Sequence, residues 1–441
     1  MNARPAALRS SERPTRWQRC LVLFAGILVA CAVALALRTP AALAQTCQAR
    51  VGAEATVPVT VWYCAGDATG ERDAGVAAQL FDRVWPEETR PEPDGLGSPI
   101  APDTDDGRLN VYVTPPNDEV QLGRCPQSCY SVLGNAGVAV PVAPFVATTA
   151  GSERSSALMI LNEQNGVNDA TVIHEFFHVL EFAHSVHAAY SWLGETSATW
   201  AENWYGASDT SRVGFFGEFQ RRAGIALNRK NIVHEYGAYV WLVWLSQSTA
   251  RASAVFRLWS ALQPARSDSP DQIDPLIGRY LSRIGVGWRS SFRSFAVEDL
   301  NRNLGQATPE LFRYGPFGDP AVPLGITPRW VRPPWTLSLG ARRTPVNLTH
   351  LAAQYDEVRA IGPRVRAVTV SSRRIRPWGD VVVLYRTRFG WRRRNLNDGS
   401  VTFCRARSDQ NVSQLYIVSD NHDDLRAHSG ASYTVTGRRS C

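Results

Sequence analysis

Lysine is almost missing from this 441-residue chain: Lys230 is the only one among 47 basic residues, and the rest are arginine. So uniform a choice looks like compositional bias of the genome, so an arginine by itself carries little functional information. Methionine is nearly as scarce, at Met1 and Met159, which excludes any motif that needs a methionine in the second half of the chain. After the first 44 residues no long apolar run occurs, so no second membrane-length segment is expected and the mature chain should be soluble. Disorder is excluded as well, because 44% hydrophobic and 10% aromatic residues can fill substantial cores. Histidine is also uncommon, eight in all, yet three fall within HEFFHVLEFAH, from His174 to His184.

Residues 1–44 have the make-up of an export signal. Arg9, Arg13, Arg16 and Arg19 precede an apolar run from Leu21 to Leu37, Pro40 breaks it, and small residues stand at Ala42 and Ala44. Cleavage after Ala44 and secretion are expected; the alternative is an uncleaved membrane anchor, since the run approaches spanning length. Cleavage removes Cys20 and Cys31 and leaves six cysteines, an even number that favours disulfides in an exported protein. Their clustering suggests Cys47 with Cys64, Cys125 with Cys129, and Cys404 with Cys441. The stretch CPQSC also has the spacing of a metal knuckle, but nothing nearby supplies its other two ligands.

Positive charge is regional. Between Arg329 and Asp409, 17 arginines face five acids, a net of +12, and the whole chain carries +7, so the remainder sums to −5. A basic C-terminal module of this kind can meet an anionic cell-envelope polymer; a solvated, arginine-rich strand surface is the plainer alternative, and no specific nucleic acid is expected.

From Cys47 to about Asn162 the pattern is strand and turn: TVPVTVWYC, a helix around Ala74 to Trp85, RLNVYVTPP, and ALMILN. Asp103 to Gly107, DTDDG, lacks the spacing and terminal glutamate of a calcium loop and is expected to be a turn. From Asn168 to about Leu304 helices dominate. Asn168 or Asp169 can cap a helix running through HEFFHVLEFAH, and AYVWLVWL, AVFRLWSALQ and FRSFAVEDLNRNL carry helical spacing. Residues 315–334, rich in proline and glycine, form an expected linker with few contacts across it. VRAVTV, DVVVLYRTRF and SQLYIVSD then predict a small all-β, sandwich-like domain over 335–441. Strands and helices in blocks give an α+β class, with residues 45–314 as one domain: a mixed sheet, a site-bearing helix and a helical subdomain.

Within a helix, His174 and His178 lie one turn apart, about 6 Å along the axis, so both imidazoles can face one ion. Glu175 beside them can act as general base on a water bound to zinc. A third ligand is needed, and three candidates follow. Glu181 lies on the same face but about 10 Å further along the axis, which suits a supporting or surface role. His184 stands where metzincins place a third histidine, but Glu181 replaces their glycine and no downstream methionine exists for their turn. Glu195, in WLGETSATWAE, is separated from His178 by sixteen residues, enough for one helix to end and another to return.

HExxH followed within twenty residues by Trp192-Leu193-x-Glu195-x-x-Ala198 resembles the gluzincin metallopeptidases, the group of thermolysin and aminopeptidase N. The resemblance covers about thirty residues and implies a zincin-like domain in which His174, His178 and Glu195 hold Zn2+. Two departures stand out. Thr199 occupies the place where thermolysin-like enzymes carry an aspartate that orients a histidine, and the aminopeptidase segment for the substrate amine is absent, which favours an endopeptidase. Gluzincins often stabilise the oxyanion with a downstream Tyr or His; HEYGAYVW offers His234, Tyr236 and Tyr239, of which Tyr236 fits best. RLNVYV and AGVAVPVAPFV are candidates for an edge strand on which a peptide substrate adds hydrogen bonds. The expected function is a secreted zinc metallopeptidase acting on peptides or proteins. The alternative is a non-catalytic envelope-binding or adhesion protein with a degenerate or structural zinc site.

Overall fold

The computed structural model describes residues 50–100, 107–115, 120–121, 129–130, 136–147, 151–165, 167–231, 233–248, 253–304, 334–373, 379–396, 399–407, 409–421 and 429–441. The expected signal peptide, nearly all of the expected linker, and Asp103 to Asp106 lie outside them. No helix of the described residues is long and apolar enough to cross a membrane.

The first half builds a five-stranded mixed sheet. Its strands are β1 (Arg50–Glu54), β2 (Val59–Cys64), β3 (Leu109–Thr114), β6 (Gly137–Ala147) and β7 (Glu153–Asn162), and β4 (Val120–Gln121) and β5 (Cys129–Tyr130) form a separate short ribbon. The order is β1-β2-β3-β7-β6, with β2, β3 and β7 parallel and β1 and β6 antiparallel to their neighbours. In β7 the run Ala157 to Leu161 is apolar throughout because both faces are covered. Ala157, Met159 and Leu161 enter the main core, while Leu158 and Ile160 pack with Val140 of β6 on the opposite face. β6 forms an edge, and no strand pairs with its outer side among the described residues. Between β2 and β3 runs α1 (Ala68–Glu88), longer at both ends than the predicted Ala74–Trp85; Asp67 caps its start through Thr69 and Gly70, and the Thr89 amide closes its end on the Trp85 carbonyl.

The helical part comprises α2 (Asp169–His184), α3 (Val186–Ala189), α4 (Trp192–Trp204), α5 (Arg212–Arg221), α6 (His234–Gly237), α7 (Tyr239–Ser248), α8 (Ser253–Leu262), α9 (Pro270–Arg283) and α10 (Trp288–Leu304). Of the two expected caps, Asn168 caps α2, accepting from the Thr171 amide at 2.9 Å. Asp169 instead accepts from Ser208, through its amide and its hydroxyl, and ties the start of α2 to the chain after α4.

The C-terminal region forms two sheets. One has the order β13 (Gly390–Asn395), β12 (Gly379–Thr387), β15 (Gln414–Asn421), β10 (Ala352–Ile361), β8 (Trp335–Leu337); the other runs β14 (Ser400–Cys404), β11 (Ala367–Arg373), β16 (Ser429–Arg438), β9 (Gly340–Leu348). Alternation along β12 and β15 assigns each face. Val381, Val383, Leu415 and Ile417 point into a core shared by the two sheets, whereas Val382, Leu384, Tyr416 and Val418 join the core of the helical part. Leu351, Ala353, Tyr355 and Trp391 join them there.

That shared core departs from the expectation of few contacts between the two parts. Polar contacts cross the boundary too: the Leu227 amide donates to Leu351 at 2.9 Å, the Tyr355 hydroxyl donates to Ala296 at 2.9 Å, and Arg293 pairs with Asp380 at 2.7 Å. The expected disulfides meet a mixed outcome. Cys64 is disulfide-bonded, while Cys47 and Cys125 lie outside the described residues. Cys404 and Cys441 are free thiols joined by a hydrogen bond, where a disulfide was expected.

Candidate metal centre

Helix α2 lies across β7 and β6, and α4 returns antiparallel beside it after the short α3. The return is tight. A Cβ at Gly194 would sit 2.0 Å from the Ala189 carbonyl oxygen, so only glycine lets the first turn of α4 close down on α3. The Ser191 hydroxyl caps that turn, accepting from the Leu193 amide at 3.2 Å. Glu195 consequently faces α2 from one turn inside α4.

His174, His178 and Glu195 converge, each offering one ligand atom within 4.8 Å of the other two. Oε2 of Glu195 lies 3.1 Å from His174 Nε2 and 3.4 Å from His178 Nε2. Both histidines are buried, and Glu195 keeps 28% side-chain exposure, so the cluster opens to solvent on the glutamate side.

Behind the cluster, each imidazole is held by a second carboxylate. Glu202 Oε1 lies 2.8 Å from His174 Nδ1, and Glu181 Oε2 lies 2.7 Å from His178 Nδ1. Glu181 in turn accepts from the Ser197 hydroxyl at 2.6 Å and is fully buried, which settles its position between the supporting and surface roles expected for it. With both Nδ1 atoms donating to carboxylates, the two Nε2 atoms point at the shared space and offer lone pairs there once their protons are displaced. Two nitrogens and one oxygen, open on one side, make a donor set that can hold a metal ion.

The carboxylates also govern protonation. Burial opposes a proton on His174, but hydrogen bonds to Glu195 and Glu202 outweigh it and raise the group to about 10. His178 is raised well above its ordinary value, where burial is outweighed by Glu181 and Glu195. Burial pushes Glu181 up to about 7 against the pull of His178. Glu195 sits well below the ordinary carboxylate range, because the two histidines overcome its burial.

Glu175 packs against the edge strand. A Cβ at Gly137 would lie 2.8 Å from Glu175 Cγ, so the glycine makes the space that the carboxylate occupies. The Ala139 amide donates to that carboxylate, and burial raises Glu175 above its ordinary range, with His174 and His178 opposing.

Of the three downstream candidates, Tyr236 reaches the cluster. Its ring stacks on His174 with centroids 5.7 Å apart and planes 14° apart, and its hydroxyl hydrogen-bonds Glu195. Burial first, then Glu195, raise its phenol. His234 instead packs on Phe219 with centroids 4.8 Å apart and is pushed down to about 4 by burial, and Tyr239 lies in the main core. His184 also stands apart: its Nε2 donates to the Leu96 carbonyl at 2.8 Å.

Sequence reasoning assigned no role to Glu202, although its spacing of seven from Glu195 on one helix was the available signal. Glu202 fills the role that Thr199 leaves open, while the Thr199 hydroxyl donates to the Glu195 main-chain carbonyl at 2.8 Å. Gly137 and Ala139 fall in the stretch AGVAVPVAPFV expected as an edge strand, but their contact with Glu175 was not foreseen, since it spans two elements. Compared with known proteins, the chain matches no family model and no curated protein.

Proposed function

We propose that the chain is an exported, zinc-dependent metallopeptidase of the gluzincin type that cuts within polypeptides. The observation that carries this reading is the convergence of His174, His178 and Glu195 with Glu175 placed beside them beneath β6. When bound, zinc supplies a Lewis acid for the scissile carbonyl and brings the pKa of water toward neutrality. Glu175 accepts the proton released by the attacking water, and its burial, which makes it more basic than an ordinary carboxylate, suits that task. Tyr236 remains a neutral phenol and can donate to the oxyanion.

The outer side of β6 offers main-chain groups to an extended peptide, in the manner of an added strand. A mixed sheet with an antiparallel edge strand over a ligand-bearing helix is also the arrangement expected of a zincin-like domain. An open edge suits internal segments of a substrate, in keeping with the absence of the aminopeptidase amine-binding segment.

The test is cleavage of unstructured peptides by the purified chain, with metal content measured on the same sample. The expected result is one zinc per chain and internal cleavage that stops with chelator and returns with zinc. Full zinc occupancy without cleavage of any peptide overturns the reading in favour of a non-catalytic envelope-binding protein with a structural zinc.

A further inference from the structure

The four-stranded sheet ends in a concentration of positive charge that the metal centre does not use. Ala367 at the start of β11 is paired with Cys404 of β14 on one side and Arg438 of β16 on the other. The adjoining residues are therefore neighbours: the Arg366 amide donates to the Arg438 carbonyl at 2.8 Å, and the Arg405 amide donates to the Arg366 carbonyl at 2.9 Å. Three chain segments thus bring Arg364, Arg366, Arg405, Arg407, Arg438 and Arg439 to one end of the sheet. All are exposed except Arg405, which is half-buried and donates to the carbonyls of Gly362 and Val365. None of the six forms an ion pair with a described acid; elsewhere arginines such as Arg221, Arg293 and Arg359 do.

Like charges gathered on adjacent strands repel one another, so the arrangement destabilises the free protein unless an anion covers it. The outer face leading away from this end is hydroxyl-rich. Thr369 and Thr402 hydrogen-bond each other at 2.9 Å across β11 and β14, and Thr434 and Thr436 are half-exposed on β16. No aromatic ring stands among these residues to stack on a base or enter a lipid surface.

We infer that this end of the sheet docks an acidic polysaccharide whose repeating units carry carboxylates. Arginine forks pair with carboxylates through two parallel hydrogen bonds, and the threonine face offers donors and acceptors to sugar hydroxyls. The surface lies in the C-terminal module for which an anionic envelope polymer was expected, with Arg438 and Arg439 added from beyond its most basic stretch, and it holds whether or not the metal centre is catalytic.

The test uses the full chain and polygalacturonate, with binding measured at low and at physiological salt. Wild type is expected to bind, and more weakly as salt rises. The R366E/R438E double variant should lose at least about tenfold in affinity. R279E/R283E, which makes the same charge change at two exposed residues of α9, should bind nearly as wild type. The single variant R439E, at an exposed residue beyond the last strand, reports the same loss in smaller measure should the double variant fail to fold. Equal losses in the double variant and the α9 control would reduce the effect to net charge and overturn the site. Binding duplex DNA or anionic phospholipid vesicles more tightly than polygalacturonate would overturn the occupant. Peptide cleavage measured alongside separates the two proposals, because neither double variant touches the metal centre.

Discussion

Glu202 holds the far side of His174, its Oε1 2.8 Å from Nδ1, from a position two helical turns beyond Glu195. One helix thereby supplies both Glu195 of the candidate metal cluster and the group that orients His174. Replacing Glu202 with Ala should weaken zinc binding by about 10–100-fold, the usual cost of removing a partner behind a ligating histidine. Titration with a competing chelator checks this, and an unchanged affinity would remove Glu202 from its role.

Gly137 and Glu175 give a separate handle on the base. Glu175→Gln should retain zinc and lose about 10²–10⁴-fold in turnover. Gly137→Ala should also retain zinc but displace the Glu175 side chain, since the new methyl would come within 2.8 Å of its Cγ. Turnover in that variant should fall by about 100-fold. Zinc loss in either would show that the strand edge supports the ligands and not the base.

Ligand choice is open to a direct ranking. Glu195→Ala should empty the site at equilibrium, whereas His184→Ala should leave occupancy nearly intact and lower stability by about 1–3 kcal/mol, because the Leu96 carbonyl loses its buried donor. Metal analysis after dialysis, paired with thermal melts, reads both; the reverse order of occupancy would restore His184 as the third ligand.

The metal-free protein should show a distinctive pH dependence. His174 is raised from 6.5 to about 10 by its carboxylate partners, so between those values the folded state holds a proton that the unfolded state has released. Stability contributed by that proton is complete below about pH 6.5 and is lost as pH rises toward 10. Melting temperatures of the chelated protein should fall across this window, while zinc, which takes the place of the proton, should flatten the curve. A chelated protein equally stable at both ends of the window contradicts the protonated cluster.

Truncation after Pro334 should not leave a folded, active fragment. It removes Tyr355, Val382, Leu384, Trp391, Tyr416 and Val418 from the helical core. At about 1.5–3 kcal/mol for each buried side chain, the loss matches or exceeds the 5–15 kcal/mol that stabilises a typical domain. Circular dichroism and aggregation measurements decide the matter. A soluble, cooperatively melting fragment would mean that the shared core adds little.

The pair His174 and His178 was legible in the sequence because its one-turn spacing follows from helical geometry, whereas Glu195 on α4 was singled out by the resemblance to gluzincins. Strands with clear apolar runs, such as β7, β12 and β15, were legible too. β10 was not: AAQYDEVRAI buries Gln354, Asp356 and Glu357, so its polarity hides a central strand. Helix α9 was missed for a related reason, with Pro275 inside it, although Ser269 and Pro270 mark its start. The two-sided burial of β12 and β15 was invisible as well. A run such as VVVL states that both faces are covered but not by what, and a proline-rich stretch before it favoured separation over joining.

The sheet containing β12 and β15 has a consequence in time. Ribosomes deliver the helices that carry His174, His178 and Glu195 long before Tyr416 and Val418, yet those late residues complete the core that α10 shares with them. The first three hundred residues are therefore a lock without its back plate. On the function proposed above, activity should appear only once the last strands dock, which keeps it latent while the chain is still being made.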